Sequence, residues 1–407
     1  MQYSCAHGTI CIIFDEKGMS RLDCLEIYVH IPFCRQKCRY CDFASFPGHE
    51  ADMAAYCQYV DQELRQKAEI YGPMPVSTVY IGGGTPSLLP PELITRILQA
   101  IHAAFPVMRG AEITCESNPG TLTHAFLAAF AKAGGNRLSL GVQARQDRLL
   151  AVLGRIHRWE EVASSVKIAR EAGIDNINLD LMFGLPGQTR ADWQETLKAA
   201  LALHPEHLSC YGLIVEEGTA FHRLAEQGEL SLPDEALERV LYDDVLETSS
   251  KEGFIQYEIS NFARPGRECR HNIGYWQGAY YLGVGAAAHS KMPCSPEKGA
   301  YARFGNTRDL DGYMKYMKEG TSPVEEYQEI SQREARFETL MLGLRMVSGV
   351  SEGDFLSRHG ITLEAAFGKK ISPLVKKGLL VWEDNTLRLT RRGMDVQNTV
   401  LVDLMDE

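Results

Sequence analysis

Three cysteines near the start of the chain form its most informative pattern. Cys34, Cys38 and Cys41 follow one another at C-x3-C-x2-C spacing, just after an apolar, strand-like segment. A [4Fe–4S] cluster is normally held by four cysteine thiolates, so three clustered ligands leave one iron open for a substrate or cofactor. A structural zinc site favours four ligands, usually in two close pairs, and no fourth cysteine follows nearby. The spacing therefore favours a cluster with an open iron over a zinc site or a chance grouping.

Glycine and polar residues recur at the ends of the predicted strands. The stretch Gly82-Gly83-Gly84-Thr85-Pro86 follows the second strand, and glycines let a backbone approach a ligand closely. The candidates at this edge are Gly83, Gly84, Thr85, Glu116, Gln143, Arg155 and Asp180. Each by itself could be a tight turn or a satisfied structural group. Their shared place at the carboxyl ends of the strands, where barrel folds carry their sites, favours a common site.

A second constellation spans residues 270–276 and reads Arg-His-Asn-Ile-Gly-Tyr-Trp. Imidazole is a usual axial donor to heme iron, and Tyr275 and Trp276 beside His271 offer flat apolar surface. Most histidines next to aromatic residues are structural, so residue types alone favour a structural role for His271. His289, in the small-residue segment 283–290, is expected to be packed or hydrogen-bonded.

Six short apolar runs that alternate with helical segments must position these residues. The predicted strands are 25–31, 77–81, 112–116, 137–142, 176–182 and 207–214. The helical segments between them include 53–64, 91–104, 123–133, 159–172 and 190–203. Consecutive βα units predict a parallel sheet with right-handed crossovers. Because six units are too few for an eight-stranded barrel, we predict an α/β fold with a partial (β/α)6 barrel.

The pattern changes after residue 214. A helix over 233–251 and a strand over 254–259 are predicted next, and a separate module begins at 321. Its helices at 333–346 and 371–377 precede two short strands, 379–382 and 387–390, that flank a polar turn, which is typical of a winged helix. We therefore divide the chain into an N-terminal extension consistent with disorder (1–24), the partial barrel (25–215), a barrel-completing segment (216–320) and a winged-helix-like module (321–407).

Composition excludes several classes of protein. The chain has 407 residues, 45% of them hydrophobic, which is enough for a large core and too long for one ordinary domain. A net charge of -11 disfavours general binding to nucleic acid or anionic membranes, so the basic residues of the C-terminal module are interpreted as a solvated face. No apolar run approaches the ~20 residues of a membrane-spanning helix, and the N-terminus lacks a secretory pattern. We expect a cytoplasmic protein whose 11 cysteines are thiols or metal ligands.

On these motifs the sequence resembles the radical S-adenosylmethionine superfamily, and within it the branch of the coproporphyrinogen dehydrogenase HemN and the heme chaperones HemW. The resemblance runs from about residue 27 to the C-terminus. It implies that the open iron is chelated by the amino and carboxylate groups of S-adenosylmethionine, which one electron then cleaves. The residues that it implies around this cofactor are Tyr28, Tyr40, Gly83, Gly84, Thr85, Glu116, Gln143, Arg155 and Asp180.

Two departures separate the chain from HemN. HemN carries a further cysteine two places after the third cluster ligand, whereas here Cys41 is followed by Asp42 and Phe43, an aromatic residue as in HemW. HemN also has a long N-terminal segment over its active site, and here about two dozen weakly patterned residues precede the first strand. The 270–276 motif resembles the HNxxYW element of HemW, which implies that His271 binds heme.

The resemblance thus implies a heme chaperone that binds a [4Fe–4S] cluster, S-adenosylmethionine and heme, and transfers heme to an acceptor protein of unknown identity. It also implies an electron donor and peripheral association with membrane heme proteins. The alternative is an enzyme that decarboxylates the propionates of coproporphyrinogen III oxidatively. A third class, a redox-sensing winged-helix regulator, is disfavoured by the acidic charge and the intact cofactor motifs, and no nucleic acid partner is expected.

Overall fold

The computed structural model describes residues 24–295 and 297–405, and the backbone of two short paired strands nearer the N-terminus. The rest of the extension predicted over 1–24 lies outside the described residues, apart from Cys24. The strands are β1 Cys5–Ala6, β2 Thr9–Ile10, β3 Leu25–Ile31, β4 Phe33–Cys34, β5 Phe46–Pro47, β6 Val76–Gly83, β7 Val107–Ser117, β8 Arg137–Gln143, β9 Ile177–Phe183, β10 His207–Gly212, β11 Ile255–Gln256, β12 Asn261–Ala263, β13 Tyr280–Val284, β14 His289–Met292, β15 Tyr301–Asn306, β16 Val324–Ile330, β17 Val350–Ser351, β18 Leu380–Glu383 and β19 Thr386–Leu389.

Helices of widely differing length connect these strands. They are α1 Met53–Tyr71, α2 Pro91–Ala104, α3 His124–Lys132, α4 Asp147–Leu153, α5 Trp159–Glu171, α6 Arg190–Leu201, α7 Ala220–Glu226, α8 Glu235–Lys251, α9 Arg270–Gln277, α10 Leu310–Glu319, α11 Gln332–Gly343, α12 Glu352–His359, α13 Leu363–Lys376, α14 Arg391–Asp395 and α15 Gln397–Leu404, with 3-10 turns at Glu50–Asp52 and Pro86–Leu88. No described helix combines the length and the apolar character that crossing a bilayer would require.

A twelve-stranded sheet organises most of the described chain. Its order is β11-β12-β10-β9-β8-β7-β6-β3-β13-β14-β15-β16, and the seven strands from β10 to β13 are parallel. All six predicted strands occur in this parallel array. β11 and β16 are edges that do not pair with each other, so the sheet of the described residues is an open barrel. The loops that follow the parallel strands meet at one edge, which positions the candidate residues.

The seventh parallel strand, β13, lies in a region that was predicted only as a small-residue segment. It pairs with β3 and continues through the antiparallel strands β14 and β15. Small residues are required there, because a Cβ on Gly283 would lie 2.1 Å from the carbonyl oxygen of His289. The strand predicted over 254–259 is replaced by the two short strands β11 and β12 at the other side of the sheet. The small residues of β13 concealed that strand in the sequence. The strand predicted over 254–259 is interrupted by the turn between β11 and β12.

The C-terminal module has a hydrophobic core of its own, which extends from Leu340 to Leu404. The predicted helices and hairpin are present, and β17, α12, α14 and α15 add to them. β16 lies beyond the predicted boundary at residue 320, yet it pairs with β15 of the large sheet. The domain boundaries themselves remain predictions. Basic residues on this module form ion pairs, among them Lys377–Asp403, Arg388–Glu383 and Arg391–Asp243.

Candidate functional site

The three cysteines of the predicted cluster lie in the loop that leaves β3. Cys34 is on β4, which pairs with β5 across the loop, and the amide of Cys41 donates to the carbonyl of Cys38 at 3.3 Å. All three are half-buried free thiols. Burial is the main reason why the pKa of Cys34 is raised and that of Cys41 reaches about 11. Thiolates are the metal-binding form, so loading a cluster here must release protons.

Within the described residues, no three His, Cys, Asp or Glu side chains converge on one point where a single metal ion would bind. In a [4Fe–4S] cluster each cysteine binds a different iron, so the thiols need not converge in this way. The backbone next to them is arranged to leave room. A Cβ on Gly84 would lie 2.6 Å from the carbonyl oxygen of Phe33 and 3.0 Å from Cys34 Sγ. Only glycine therefore fits beside the first cysteine, and the residues present fit a cluster.

A continuous series of polar contacts connects Cys34 to Cys38. Cys34 Sγ lies 3.5 Å from Thr85 Oγ1, which accepts a hydrogen bond from Asn118 Nδ2 at 2.9 Å. Arg155 donates to Asn118 Oδ1 at 2.6 Å and to Cys38 Sγ at 3.7 Å. Thr85, Asn118, Arg155 and Cys38 line a small cavity of about 30 Å³. The guanidinium therefore lies where it can stabilise negative charge on a thiolate or hold a ligand carboxylate.

Glu116 is held at the mouth of the glycine stretch. Its Oε2 accepts from the amide of Gly83 at 2.9 Å, and its Oε1 accepts from the hydroxyl of Tyr80 at 2.8 Å. Desolvation is the main cause that raises the pKa of Glu116 to about 7, with the nearby Asp180 contributing. A Cβ on Gly83, whose φ is +111°, would lie 2.6 Å from the His30 ring. Glu116 can thus bind hydroxyl or ammonium groups of a ligand through a carboxylate that ionises near neutral pH.

Besides Gly84, three predicted cofactor residues line neither the small cavity beside the cysteines nor the larger cavity beside His271: Tyr40, Gln143 and Asp180. Gln143 ends β8 in a left-handed conformation with φ of 67°, and its Oε1 accepts from Tyr211 at 3.1 Å. Asp180 accepts from Ser139 at 3.0 Å and from Asn178 at 2.7 Å. The pKa of Tyr40 is raised by burial, and the charge of Arg155 opposes that shift. Asp180 and Tyr40 therefore interact electrostatically with Glu116 and Arg155, respectively, and Gln143 bonds to the neighbouring strand β10.

A larger cavity of about 550 Å³ lies between the sheet and the C-terminal module. This is within the size range of ligand pockets. Tyr28, Gly83, Glu116 and His271 of the predicted set line it. Its aromatic wall comprises Tyr28, Phe43, Tyr80, Tyr275 and Tyr281, and its charged residues are Asp42, Glu116, Lys291, Arg303, Arg308 and Glu338. The cavity suits a large flat ligand that also carries charge.

His271 enters this cavity from the first turn of α9. Glu112 fixes that turn by accepting from the amides of Arg270 and His271, at 3.0 and 3.1 Å. Nδ1 of His271 lies 2.7 Å from Thr78 Oγ1, whereas Nε2 is buried and has no hydrogen-bond partner among the described residues. Burial lowers the pKa of His271 to about 3, so the imidazole is neutral near pH 7. When Nδ1–H donates to Thr78, Nε2 presents a lone pair, as a heme ligand requires.

Two neighbours of His271 differ from their predicted places. Trp276 does not line the larger cavity: it packs in a cluster with Tyr257 and Met346, and the guanidinium of Arg345 lies 4.5 Å from its ring centre. The helical turn directs it away from the side that Tyr275 occupies. His289, expected to be packed or hydrogen-bonded, is exposed and lines the same cavity as His271.

Several residues of the site were missed from the sequence. Asn118 links Thr85 to Arg155 and directly follows the last residue of β7, so its place at the carboxyl end of a predicted strand was the available signal. Tyr80 stacks on His271 with ring centres 5.0 Å apart. His30 bonds the Tyr28 hydroxyl at 3.0 Å and the Ala44 carbonyl at 2.8 Å. No sequence pattern links Tyr80 or His30 to a ligand, because strand pairing brings them to the site.

Two family models and several curated proteins match this chain. The model of the Radical SAM superfamily matches residues 28–200, and that of the HemN C-terminal domain matches residues 330–396. A heme chaperone HemW of Bacillus subtilis is 36% identical over 374 residues, which cover 92% of this chain and 97% of that protein. A heme chaperone HemW of Synechocystis is 39% identical over 332 residues, covering 80% of this chain and 78% of that protein.

Among solved structures, coproporphyrinogen III oxidase (HemN) from Escherichia coli, described as a radical SAM enzyme, superposes with a TM-score of 0.80. The two chains are 22% identical, and the match covers 94% of this chain and 90% of the other. At this identity the likeness establishes a shared fold, and the predicted partial barrel with a C-terminal module is confirmed.

Proposed function

Because the chain belongs to the radical SAM superfamily and, within it, to the family of the heme chaperones HemW, we propose that it binds heme and transfers it to an acceptor protein. One observation carries the proposal. The neutral imidazole of His271 lines a cavity of about 550 Å³ with its Nε2 buried and without a partner in the described chain. A buried polar atom of this kind is normally satisfied by a ligand or by water.

The superfamily implies a [4Fe–4S] cluster and S-adenosylmethionine. When bound, the cluster supplies an electron to the sulfonium of the cofactor. In our proposal Cys34, Cys38 and Cys41 hold the cluster. Arg155 orients the cofactor carboxylate through its forked guanidinium, and Glu116 accepts from its polar hydrogens. Gly83 and Gly84 keep the backbone close to both groups without steric conflict.

The heme would be held by coordination and by apolar contact. His271 binds the iron through Nε2, and Thr78 orients the ring through Nδ1. The aromatic side chains of Tyr28, Tyr80 and Tyr275 cover the macrocycle, since flat rings bury large apolar areas. The chain itself thus binds, orients and shields the heme until it is transferred.

The remaining parts of the proposal concern partners and location. We propose a cytoplasmic protein that receives electrons from a redox partner and delivers heme to an acceptor, through peripheral contact with membrane heme proteins. Its net charge of -11 favours recognition of a specific protein partner over adhesion to an anionic bilayer.

The experiment that tests the function separates heme binding from porphyrinogen oxidation. Anaerobic protein with a reconstituted cluster is given dithionite, S-adenosylmethionine and coproporphyrinogen III, and the products are separated chromatographically. In parallel, the protein is titrated with heme. We expect one heme per chain and no protoporphyrinogen IX. Turnover of coproporphyrinogen III without heme uptake would replace the chaperone by the oxidative decarboxylase.

A further inference from the structure

A group of cations lies at the end of the larger cavity, where the sheet meets the C-terminal module. It consists of Lys291 on β14, Arg303 on β15 and Arg358 on α12. Lys291 and Arg303 line the cavity. The carboxylate beside them is Glu338, which is already bound by Arg303 at 3.1 Å and by the Tyr301 hydroxyl. Glu338 is therefore already engaged, and no ion pair among the described residues involves Lys291 or Arg358.

Lys291 is a buried ammonium that has no carboxylate partner in the described chain. The residue is 7% exposed, and its Nζ donates to the carbonyl of Gly278 at 3.1 Å and lies 4.1 Å from the centre of the Tyr301 ring. Burial, followed by the charge of Arg358, lowers the pKa of Lys291 to about 8. A buried charge without a counter-ion is costly, so an anion bound here would stabilise the ammonium form.

Arg358 reaches the same place from the C-terminal module. A Cβ on Gly278 would lie 2.8 Å from Arg358 Nη1 and 3.3 Å from Lys291 Nζ, so the two nitrogens flank one point beside the end of α9. Arg358 is half-buried and forms no ion pair within residues 24–295 and 297–405, although the charge of Asp354 acts on it. Two cations that converge without an intervening carboxylate form an anion-binding arrangement.

We infer that Lys291 and Arg358 form a carboxylate site that binds the propionate groups of heme, an inference that rests on the proposed function. The wall between this site and His271 is continuous. The His271 ring centre lies 4.7 Å from that of Tyr275, which lies 4.7 Å from that of Tyr281. Tyr281 in turn pairs with Lys291 across β13 and β14. A macrocycle along this wall would have its iron beside the imidazole and its carboxylate edge toward the cations.

The test compares heme with heme dimethyl ester, in which both propionates are uncharged. Wild-type protein, Lys291→Met, Arg358→Gln and the control Lys298→Met are titrated with each ligand. Lys298 is an exposed lysine that pairs with Glu329 at 3.6 Å. We expect Lys291→Met to weaken heme binding about tenfold, the effect of one charge-assisted hydrogen bond, and to change ester binding less than about twofold. Arg358→Gln should act in the same direction, and Lys298→Met should alter neither affinity.

The outcomes separate this inference from the proposed function. Wild-type protein that binds the ester as tightly as heme, or a Lys291→Met variant that loses both ligands equally, would overturn the carboxylate site and leave heme binding intact. Wild-type protein that binds neither ligand would overturn both. Cluster absorption and far-ultraviolet circular dichroism establish that each variant is folded, and the ratio of the two affinities is insensitive to a general loss of packing.

Discussion

The cavity beside the cysteines and the cavity beside His271 differ in size, lining and origin. The smaller, of about 30 Å³ beside the cysteines, is lined by polar groups that already bond to one another, such as Thr85, Asn118 and Arg155. The larger, of about 550 Å³, is walled by aromatic rings and contains His271 Nε2, which lacks a partner among the described residues. The smaller cavity is thus preorganised by hydrogen bonds among its own side chains. In the larger cavity, His271 Nε2 is left to form a bond with a ligand.

This difference teaches how the chain separates two tasks. The polar groups beside the cysteines hold one another in place, so they could contact a charged ligand bound next to them with little reorganisation. An apolar wall with one free nitrogen suits a large flat ligand that carries its own metal. Glu116 and Gly83 lie where the two regions meet and line the larger cavity. The regions are therefore adjacent, and substitutions should affect them separately.

The largest expected effect is loss of the cluster. Cys34→Ser, Cys38→Ser and Cys41→Ser should each abolish the broad visible absorption of the reconstituted protein, because serine is a poor ligand for the cluster irons. Iron and sulfide analysis measures the loss. Cys294→Ser is the matched control, since Cys294 is also a half-buried free thiol, and it should keep full iron content. Wild-type iron in any of the three variants would refute the ligand assignment.

A smaller effect, on heme affinity, is expected from changing Thr78, which contacts the His271 imidazole. Thr78→Val removes the hydrogen bond to His271 Nδ1 and should weaken heme binding about 10- to 100-fold, the usual effect of losing a group that orients a metal ligand. The control is Thr114→Val, because Thr114 is equally buried and its hydroxyl has no partner among the described residues. Heme titration of both variants measures the difference. Equal affinities would mean that Thr78 does not orient the ligand.

The smallest effect is a pH dependence at the boundary between the two regions. The pKa of Glu116 is raised to about 7, so its carboxylate is largely present above pH 7 and becomes protonated below it. Affinity for S-adenosylmethionine should therefore fall by at most about tenfold in total as pH is lowered from 8 to 6. Binding is followed through the paramagnetic resonance spectrum of the reduced cluster. Glu116→Gln should bind more weakly and show a flat profile, whereas a wild-type slope in that variant would assign the titration elsewhere.

The sequence predicted the two regions unequally, for a physical reason. The six parallel strands follow from apolar runs and occur as predicted. The cluster loop and the glycine stretch are local motifs, which a sequence can reveal directly. The larger cavity is assembled from residues between 28 and 342, and its walls depend on strand pairing and on α11. Trp276 was misplaced because the rotation of α9 was unknown. Lys291 and Arg358 gave no local signal, since only the fold of β14 against α12 brings them together.

The measurement that tests the central claim most directly is a heme titration of His271→Ala beside His289→Ala. Both histidines line the larger cavity, but only His271 is buried with an unpartnered Nε2 among the described residues. We expect His271→Ala to shift or lose the Soret band while the cluster and its response to S-adenosylmethionine persist, and His289→Ala to keep the wild-type spectrum. Loss of heme in His289→Ala with a silent His271→Ala would contradict the assignment, and wild-type protein that takes up no heme would contradict the account as a whole.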